Sequence, residues 1–485
     1  MHSAASKRPP PSQEAAAEHA AETLRRRAEK RTKLLGEGNL ANVLVTMAIP
    51  GIIGMTANAV YNVTDSIFIG QLGTAQIGAV AVVFPLFTLA GAIGLTFGVG
   101  AASYISRNLG AGNIDEANRT LSFAIGATVV AGIAFMIAAG VFMDPLLRTL
   151  GATDTILPYA RDYGQVFVYG SVGIMLKMCL SHVIRAEGAA VYSMVGIIVG
   201  AILNIILDPI FIFVFDLGIA GAGYATAISQ WTGALILATY YLRRKGFLNP
   251  SFAWLAQSLR TAREVIGIGS PLFFRLLLES TAVAIMNTAA QPFGDAAVGA
   301  VGVVLRVLLF GSFPVYGFGQ GYSPVAGYNY GAGNYKRLFR ALKLGHLWTS
   351  AFVLAYTAVV VGFAPQVMRL FSSDAEVISL GAMGLRIIHS VFPLFGLQMM
   401  ALFTCQALGK ARMAFFLGIA RQGVFLIPLV IILSRTSGFS GVLAAQAVSD
   451  VLTALVGVIF TMSLLRQIHR FRRERAQSIA ETRAS

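Results

Sequence analysis

The sequence predicts an all-α membrane protein of twelve transmembrane helices, arranged as two homologous six-helix lobes with a cleft between them. The chain is 56% hydrophobic and only 12% charged, whereas about a quarter of the residues in an ordinary soluble domain are charged. Apolar stretches of roughly 20 residues, the length that crosses a bilayer as a helix, recur along the chain. The third observation is an internal repeat, because one half of the sequence matches the other at a constant offset.

Twelve apolar segments are separated by short loops that contain charged or turn-forming residues. The predicted crossings are 43–70, 74–105, 118–143, 155–183, 190–215, 219–242, 263–291, 296–327, 338–365, 377–408, 412–434 and 439–465. Helices are favoured over a transmembrane β-barrel, because barrel strands alternate apolar and polar residues. The run from Val129 to Ala138 does not alternate.

The positions of the basic residues indicate how the chain is oriented. Lys and Arg concentrate in both tails and in alternate loops, as at 243–245 and 336–340. The formal charge of +15 therefore follows the positive-inside rule and does not indicate nucleic-acid binding. Both termini are expected in the cytoplasm. The first forty residues show no pattern of a cleavable signal peptide, so we expect a multi-pass protein of the cell inner (plasma) membrane.

The internal repeat has an offset of 221 residues, as measured from 110 to 331. The sequence Gly-Ala-Gly-Asn at 110–113 recurs at 331–334, and the alignment runs without a gap from Pro50 to Gly188. Each half contains six crossings. Because six is an even number, both halves enter the membrane from the same side and form a parallel repeat about an axis along the membrane normal. Such a duplicated bundle favours transport by alternating access.

The repeat divides the chain into five expected parts. They are a polar basic cytoplasmic tail (1–42), an N-lobe with helices one to six (43–243), a cytoplasmic inter-lobe linker (244–262), a C-lobe with helices seven to twelve (263–467) and a basic cytoplasmic tail (468–485). The linker contains an amphipathic segment, 252–255, that is expected to lie at the membrane interface.

Ionisable residues within the crossings are candidates for function, because charge in the bilayer interior is costly. They are Asp65, Lys177, Asp208, Arg275, Glu279, Arg306, Arg386, Arg421 and Asp450. Asn204 and Asp208 are four residues apart and share one face of the fifth helix. Their oxygen atoms, with those of Asp65, can share a proton or hold a small cation such as sodium. Whether Asp65 and Asp208 meet is left open by the sequence.

Arg275 and Glu279 form a candidate second-lobe site on the seventh helix. Their spacing of four residues allows either a neutralising ion pair or a role in binding a substrate or proton. Across the repeat, Glu279 corresponds to Asn58 and Asp65 to Met286. The acids were therefore not copied, and this asymmetry predicts different tasks for the two lobes.

Several segments together resemble the multidrug and toxic compound extrusion (MATE) family, in particular its DinF-like branch. These segments are 58–65, both Gly-Ala-Gly-Asn loops, 185–188 and 203–209. The resemblance covers all twelve crossings. It implies an antiporter with a V-shaped cleft, which expels organic, often cationic or amphipathic, compounds in exchange for protons or sodium. No cofactor other than the coupling ion is implied.

The resemblance also implies roles for particular residues. The N-lobe cation-coupling site would comprise Asp65, Asn204, Asp208 and Thr226. Pro50 resembles a first-helix proline that serves as a hinge. Glu279 resembles a cation-binding acid of the NorM-like branch. That branch also uses an aspartate on the tenth helix, which is absent here from 392–398, so cation coupling is expected in the N-lobe.

The cleft would present apolar, aromatic and a few polar side chains to substrates. Candidates are Met55, Tyr61, Lys177, Phe274 and Gln398. We expect small organic substrates and membrane lipids as partners, no nucleic acid, no catalytic residues, no permanently bound metal, and a monomer.

Three alternatives were compared with the antiporter. A lipid-linked precursor or anionic-substrate flippase of the same superfamily is favoured if the intramembrane Lys and Arg side chains converge on the cleft. A membrane-embedded isoprenoid-lipid enzyme would need clustered acids or paired His, which are absent from the sequence. A major-facilitator transporter would carry a Gly-, Asp- and Arg-rich loop after its second helix, which is also absent.

Overall fold

The computed structural model describes residues 33–251 and 259–484, and these ranges form helices joined by short turns. The helices are α1 (Leu40–Gly70), α2 (Thr74–Gly110), α3 (Ile114–Val141), α4 (Met143–Thr149), α5 (Leu157–Ala186), α6 (Ala190–Pro209), α7 (Gly218–Leu242), α8 (Leu259–Ala290), α9 (Asp295–Gly331), α10 (Tyr335–Gly362), α11 (Ala364–Arg369), α12 (Ala375–Val391), α13 (Pro393–Ala407), α14 (Ala411–Ile419) and α15 (Ile427–Ala484). Two π-helical turns, Ile210–Val214 and Ala420–Leu426, follow α6 and α14. The predicted interfacial segment 252–255 lies outside the described residues.

Nine helices in the described ranges are long and apolar enough to cross a membrane, and there are ten if the pair α12 and α13, bent by 50°, forms one span. One of the nine is the 61-residue stretch Ala411–Phe471. It is kinked at Gly438, where φ is 62° and ψ is −144°. Helix α7 is not among the nine. If the bent pair forms one span, α7 also crosses and the kinked stretch crosses twice, the number equals the twelve predicted from the sequence.

The Gly-Ala-Gly-Asn loops fold alike in the two lobes. Gly112 has a φ of 78° and Gly333 a φ of 65°, a left-handed conformation that glycine adopts without steric cost. In both loops the backbone N–H of the asparagine that closes the motif bonds to a carbonyl at the end of the preceding helix, over 2.8 Å. The sequence repeat therefore records a repeated turn.

The two lobes meet where α1 and α8 begin and α2 and α9 end, a region that we call the basic side because the basic loops lie there. Helix backbones approach closely at this seam. A Cβ atom on Gly110 would collide with the carbonyl of Tyr328, and one on Gly331 would collide with the carbonyl of Arg107. The two contacts are equivalent across the repeat, because a shift of 221 residues converts Gly110 to Gly331 and Tyr328 to Arg107. The lobes are therefore related by a pseudo-two-fold axis, as expected for a parallel repeat.

The first halves of α1 and α8 cross between the lobes. Val43, Leu44 and Met47 of α1 are buried in the apolar core of the C-lobe. Val265 of α8 is buried in an apolar core of the N-lobe. Each lobe thus holds the beginning of the other lobe's first helix, which fastens the lobes together on the basic side.

Polar contacts reinforce the seam. They join Arg107 to Glu264 (3.0 Å), Thr261 to Glu116 (2.9 Å), Ser103 to the carbonyl of Gln406, and Arg185 to Gln320. The far halves of α1 and α8 carry exposed apolar side chains, among them Val60, Ile67, Leu277 and Val283. The lobes therefore form a V that is closed on the basic side and open on the opposite side.

Both predicted tails contribute to the folded body. Leu35 is 1% exposed and packs in the C-lobe core. Its carbonyl accepts hydrogen bonds from Asn329 Nδ2 (3.1 Å) and Arg337 Nε (3.2 Å). At the other end, α15 continues through the predicted tail, and Phe471 packs against Tyr335 at a ring distance of 6.0 Å. Packing on the C-lobe orders these segments although their sequence is polar overall.

Candidate functional site

Asp65 and Asp208, the two acids of the predicted N-lobe site, lie together in the structure. Asp65 is on the far half of α1 and Asp208 is near the end of α6, and the two side chains are 9% and 0% exposed. Their carboxyl groups are close enough to share a hydrogen bond. The proximity that the sequence left open is therefore present.

Asn204 connects Asp208 to the neighbouring helix α7. Its Nδ2 donates to Asp208 Oδ1 over 3.2 Å and to Thr226 Oγ1 over 3.3 Å. The spacing of four residues on α6 brings Asn204 and Asp208 to one face. Pro209 and a π-helical turn follow directly. π-Helical turns frequently occur at functional sites, and this one ends the helix next to the acids.

Two further polar residues that sequence reasoning missed belong to this group. Gln230 Nε2 donates to the hydroxyl of Tyr61 over 3.4 Å, and the buried Tyr163 lies close to Thr226. Gln230 follows Thr226 by four residues on α7, so helical spacing could have identified it. Tyr163 lies near the start of α5, and no local pattern distinguishes it from other tyrosines.

The site has more hydrogen-bond acceptors than donors. Four buried oxygen atoms accept no hydrogen bond from the described protein, namely Asp65 Oδ1, Asn204 Oδ1, Asp208 Oδ2 and Gln230 Oε1. Buried polar atoms are normally paired, because an unpaired one loses its hydration without compensation. A proton or a small cation would satisfy these oxygens, since hard cations prefer oxygen ligands. The residues present therefore fit a bound proton or sodium ion.

Neither acid has a basic partner in the part of the chain that the structure describes. Among the ion pairs within the described ranges, none includes Asp65 or Asp208, whereas the buried Asp450 is paired with Arg421. Two adjacent carboxylates in a low-dielectric interior repel each other strongly. A proton or a small cation bound at the pair would relieve this repulsion.

The candidate second-lobe site contains a weak ion pair. Arg275 Nη1 lies 3.8 Å from Glu279 Oε2, but it donates a shorter hydrogen bond, 2.8 Å, to the hydroxyl of Tyr316. The guanidinium also lies 4.9 Å from the centroid of the Tyr316 ring. Arg275 is thus held mainly by Tyr316, and Glu279 remains partly uncompensated.

The predicted cleft residues occupy different environments. Met55 lies at the lobe seam, where its Sδ accepts from Gln320 Nε2 over 3.3 Å, and Phe274 is exposed and packs edge-on against Phe415. Tyr61 belongs to the buried acidic site.

Lys177 and Gln398 were expected to line the cleft, but they do not reach its surface. They are only 2% and 0% exposed, and they pack inside their own lobes, against Gly233 and Gly457 respectively. Their positions on α5 and α13 turn both side chains away from the cleft.

The predicted hinge, Pro50, is buried within α1. It separates the half of α1 that packs in the C-lobe core from the half that carries Asp65. The adjacent Gly51 lies against the backbone of Gly317. Proline removes one helical hydrogen bond and bends a helix, so its location is suitable for a bend between these two halves.

Two repeated helical lobes that are joined on one side, with a buried acidic site inside the N-lobe, define a secondary membrane transporter. A sequence model described as MatE matches residues 50–210 and again residues 271–432, so the second match begins 221 residues after the first. The two matches cover more than half of the chain. The protein therefore belongs to the MatE family, as the resemblance of its motifs predicted.

Individual relatives agree with this assignment. The chain is 27% identical over 433 residues to "Multidrug export protein MepA" of Staphylococcus haemolyticus, a match that covers 89% of this chain and 95% of the relative. A solved structure, "Outward-facing conformation of a multidrug resistance MATE family transporter of the MOP superfamily", superposes with a TM-score of 0.85 at 27% identity, covering 91% of this chain and 98% of the other. A MOP superfamily transporter from Pyrococcus furiosus gives a TM-score of 0.83 at 27% identity, with 91% and 99% coverage.

Proposed function

We propose that this protein is an antiporter that exports small organic compounds, often cationic or amphipathic, in exchange for entry of protons or sodium ions. The observation that carries the proposal is the pair Asp65 and Asp208, two buried acids in contact that have no basic partner among the described residues. The staphylococcal relatives are named as multidrug export proteins, which supports the substrate class. The protein would act as a monomer in the inner membrane, with both termini in the cytoplasm.

The proposed mechanism links cation binding to the arrangement of the lobes. Asp65 is on the far half of α1, while the near half is buried in the C-lobe. A coupling ion can drive transport only if it binds the two arrangements of the lobes with different affinity. Binding between α1 and α6 would favour one position of the far half of α1, and the bend at Pro50 would transmit that preference to the seam.

The flippase alternative is less well supported. Arg306 and Arg421 face one cavity of the C-lobe, but Arg421 is neutralised by Asp450 at 2.6 Å, and Lys177 is buried in the other lobe. An anionic substrate of this kind would be favoured by several uncompensated cations around one cavity. The intramembrane cations therefore do not form the surface that this alternative needs.

The test uses purified protein in liposomes and measures uptake of dansylcadaverine, a fluorescent amphipathic cation, driven by an imposed ion gradient. We expect Asp65→Asn to abolish gradient-driven transport, because the pair of carboxyl groups that would share the coupling ion is then lost. The control is Asp295→Asn, which alters an exposed acid at the start of α9. Normal transport by a correctly inserted Asp65→Asn variant would refute the proposal.

The same liposomes identify the coupling ion. Proton coupling requires that transport persist in sodium-free buffer and stop when the pH gradient is dissipated. Sodium coupling requires that transport depend on sodium even when the pH gradient is intact. If neither gradient affects transport, the antiport mechanism is wrong.

A further inference from the structure

A cavity of about 320 Å³ lies within the C-lobe, away from the acidic site of the N-lobe. Its walls are formed by α8, α9, the π-helical turn after α14, and α15. Small-molecule sites usually have volumes of roughly 300 Å³ or more and combine apolar walls with a few well-placed polar groups. The size and location of the cavity are therefore compatible with an organic ligand.

One charge at the cavity is already neutralised. Arg421 is 7% exposed, and it bonds to Asp450 through Nε (2.6 Å) and Nη2 (3.4 Å). Gln446 Nε2 donates to the same carboxylate over 3.2 Å. Because Asp450 compensates the guanidinium, Arg421 contributes little net charge toward a ligand.

Arg306, which is exposed on α9, is different. It lines the cavity, and within the part of the chain that the structure describes it takes part in no ion pair. A guanidinium presents a fork of N–H donors whose geometry matches a carboxylate or phosphate group. Arg306 is therefore suited to receive an anionic group of a ligand.

Hydrogen-bond acceptors also line the cavity. Glu279 has a side chain that is 28% exposed and lies 3.8 Å from Arg275, which Tyr316 holds. Asn287 Oδ1 and Gln422 Oε1 are buried without a hydrogen-bond donor. A carboxylate and two amide oxygens without donors form an environment for an ammonium group that carries N–H bonds.

The rest of the lining is largely apolar. It is contributed by Val283, Met286, Leu305, Leu308, Leu309 and Leu426. Such a surface gains free energy from contact with the apolar body of a ligand. The cavity thus offers an anion receptor, a cation receptor and an apolar surface.

We infer that the C-lobe cavity binds amphipathic zwitterions, with the anionic group of the ligand on Arg306 and its ammonium group between Glu279, Asn287 and Gln422. This inference rests on the proposed export function and specifies one substrate class for it. Arg306 would then determine specificity, because it distinguishes a zwitterion from a cation of the same shape.

The test compares two fluorescent probes, dansyl-lysine and dansylcadaverine, which differ only in the carboxylate of the former. Equilibrium binding is measured by fluorescence titration on the purified full-length protein in detergent. No ion gradient is involved, so failure of binding is distinct from failure of antiport in liposomes. We expect the unsubstituted protein to bind dansyl-lysine at least as tightly as dansylcadaverine.

Arg306→Gln should weaken dansyl-lysine binding by about tenfold, the effect of losing one charge-assisted hydrogen bond. It should change dansylcadaverine binding by less than about twofold, and this unchanged binding also shows that the variant is folded. Arg306→Lys should restore part of the loss. Glu279→Gln should weaken both probes, and Arg386→Gln, which alters an exposed arginine of the same lobe outside the cavity, should weaken neither.

Two results would overturn the inference. One is that Arg306→Gln affects both probes equally or neither of them, which would mean that Arg306 does not contact the carboxylate. The other is that dansyl-lysine does not bind to the unsubstituted protein.

Discussion

Arg421 and Asp450 form a buried ion pair at 2.6 Å in the C-lobe, and the hydroxyl of Ser449, the residue before Asp450, donates a hydrogen bond to the carbonyl of Arg421. In the N-lobe, α6 and α7 approach each other at a glycine, because a Cβ atom on Gly200 would lie 3.1 Å from the carbonyl of Ser229. In the C-lobe the ion pair joins the π-helical turn after α14 to α15, and Arg421 lines the cavity.

Removal of one partner of this pair should destabilise the protein. We expect Arg421→Met to lower the free energy of unfolding by about 3–5 kcal/mol, because Asp450 would remain buried and unpaired. The double variant Arg421→Met with Asp450→Leu should recover most of the loss, since apolar residues can replace a buried pair. Thermal unfolding in detergent measures both. A double variant no more stable than the single one would show that the charge itself is not the cause.

Asn204 should determine the affinity of the N-lobe site for the coupling ion. Asn204→Ala removes a donor to Asp208 and a contact with Thr226, which disturbs the geometry of the carboxylates. A loss of about 1–2 kcal/mol corresponds to a roughly tenfold higher ion concentration for half-maximal transport. Ion titration of dansylcadaverine transport measures this shift. Asn42→Ala, at an exposed position on α1, is the matched control and should leave the titration unchanged.

The glycine contacts of the seam should tolerate no side chain. A Cβ atom on Gly51 would collide with the backbone of Gly317, whereas a Cβ atom on Gly91 would have no neighbour within 4 Å. We expect Gly51→Ala to cost about 1–3 kcal/mol, the usual range for overpacking, and to increase amide hydrogen exchange in the near half of α1. Gly91→Ala should change neither quantity. Equal exchange in the two variants would contradict the closed seam described above.

Leu34 and Leu35, two adjacent residues before α1, provide a matched test of how this segment is anchored. Leu35 is 1% exposed and Leu34 is 36% exposed. Leu35→Ala should lower stability by about 2–5 kcal/mol, as expected for a large-to-small change in a core. Leu34→Ala should have an effect within about 0.5 kcal/mol. Similar losses of stability for the two variants would show that Leu35 is not anchored in the C-lobe.

The residues before this segment should be dispensable. We expect transport to survive removal of residues 1–32, which are polar and rich in charge, because such sequences bury little apolar surface. The measurement is dansylcadaverine transport by the shortened protein at matched reconstitution levels. Loss of transport by a stably inserted shortened protein would assign these residues a function.

Local features were sufficient to predict the fold from the sequence. Hydropathy marks a membrane helix because the whole segment must be apolar, and the repeated glycines mark turns because only glycine adopts their dihedral angles without steric cost. The 221-residue offset therefore identified the two lobes and their parallel relationship. Family motifs identified Asp65, Asn204, Asp208 and Thr226, and helical spacing independently placed Asn204 and Asp208 on one face.

Only the tertiary structure decided which side chains meet. It brought Asp65 to Asp208, paired Arg421 with Asp450, and buried Lys177 and Gln398 inside their lobes. The physical reason is that a membrane helix is apolar on nearly every face, so its sequence does not show which face is directed inward. The rotation of each helix is decided by packing against distant parts of the chain, and this packing completed the acidic site and formed the cavity of the C-lobe.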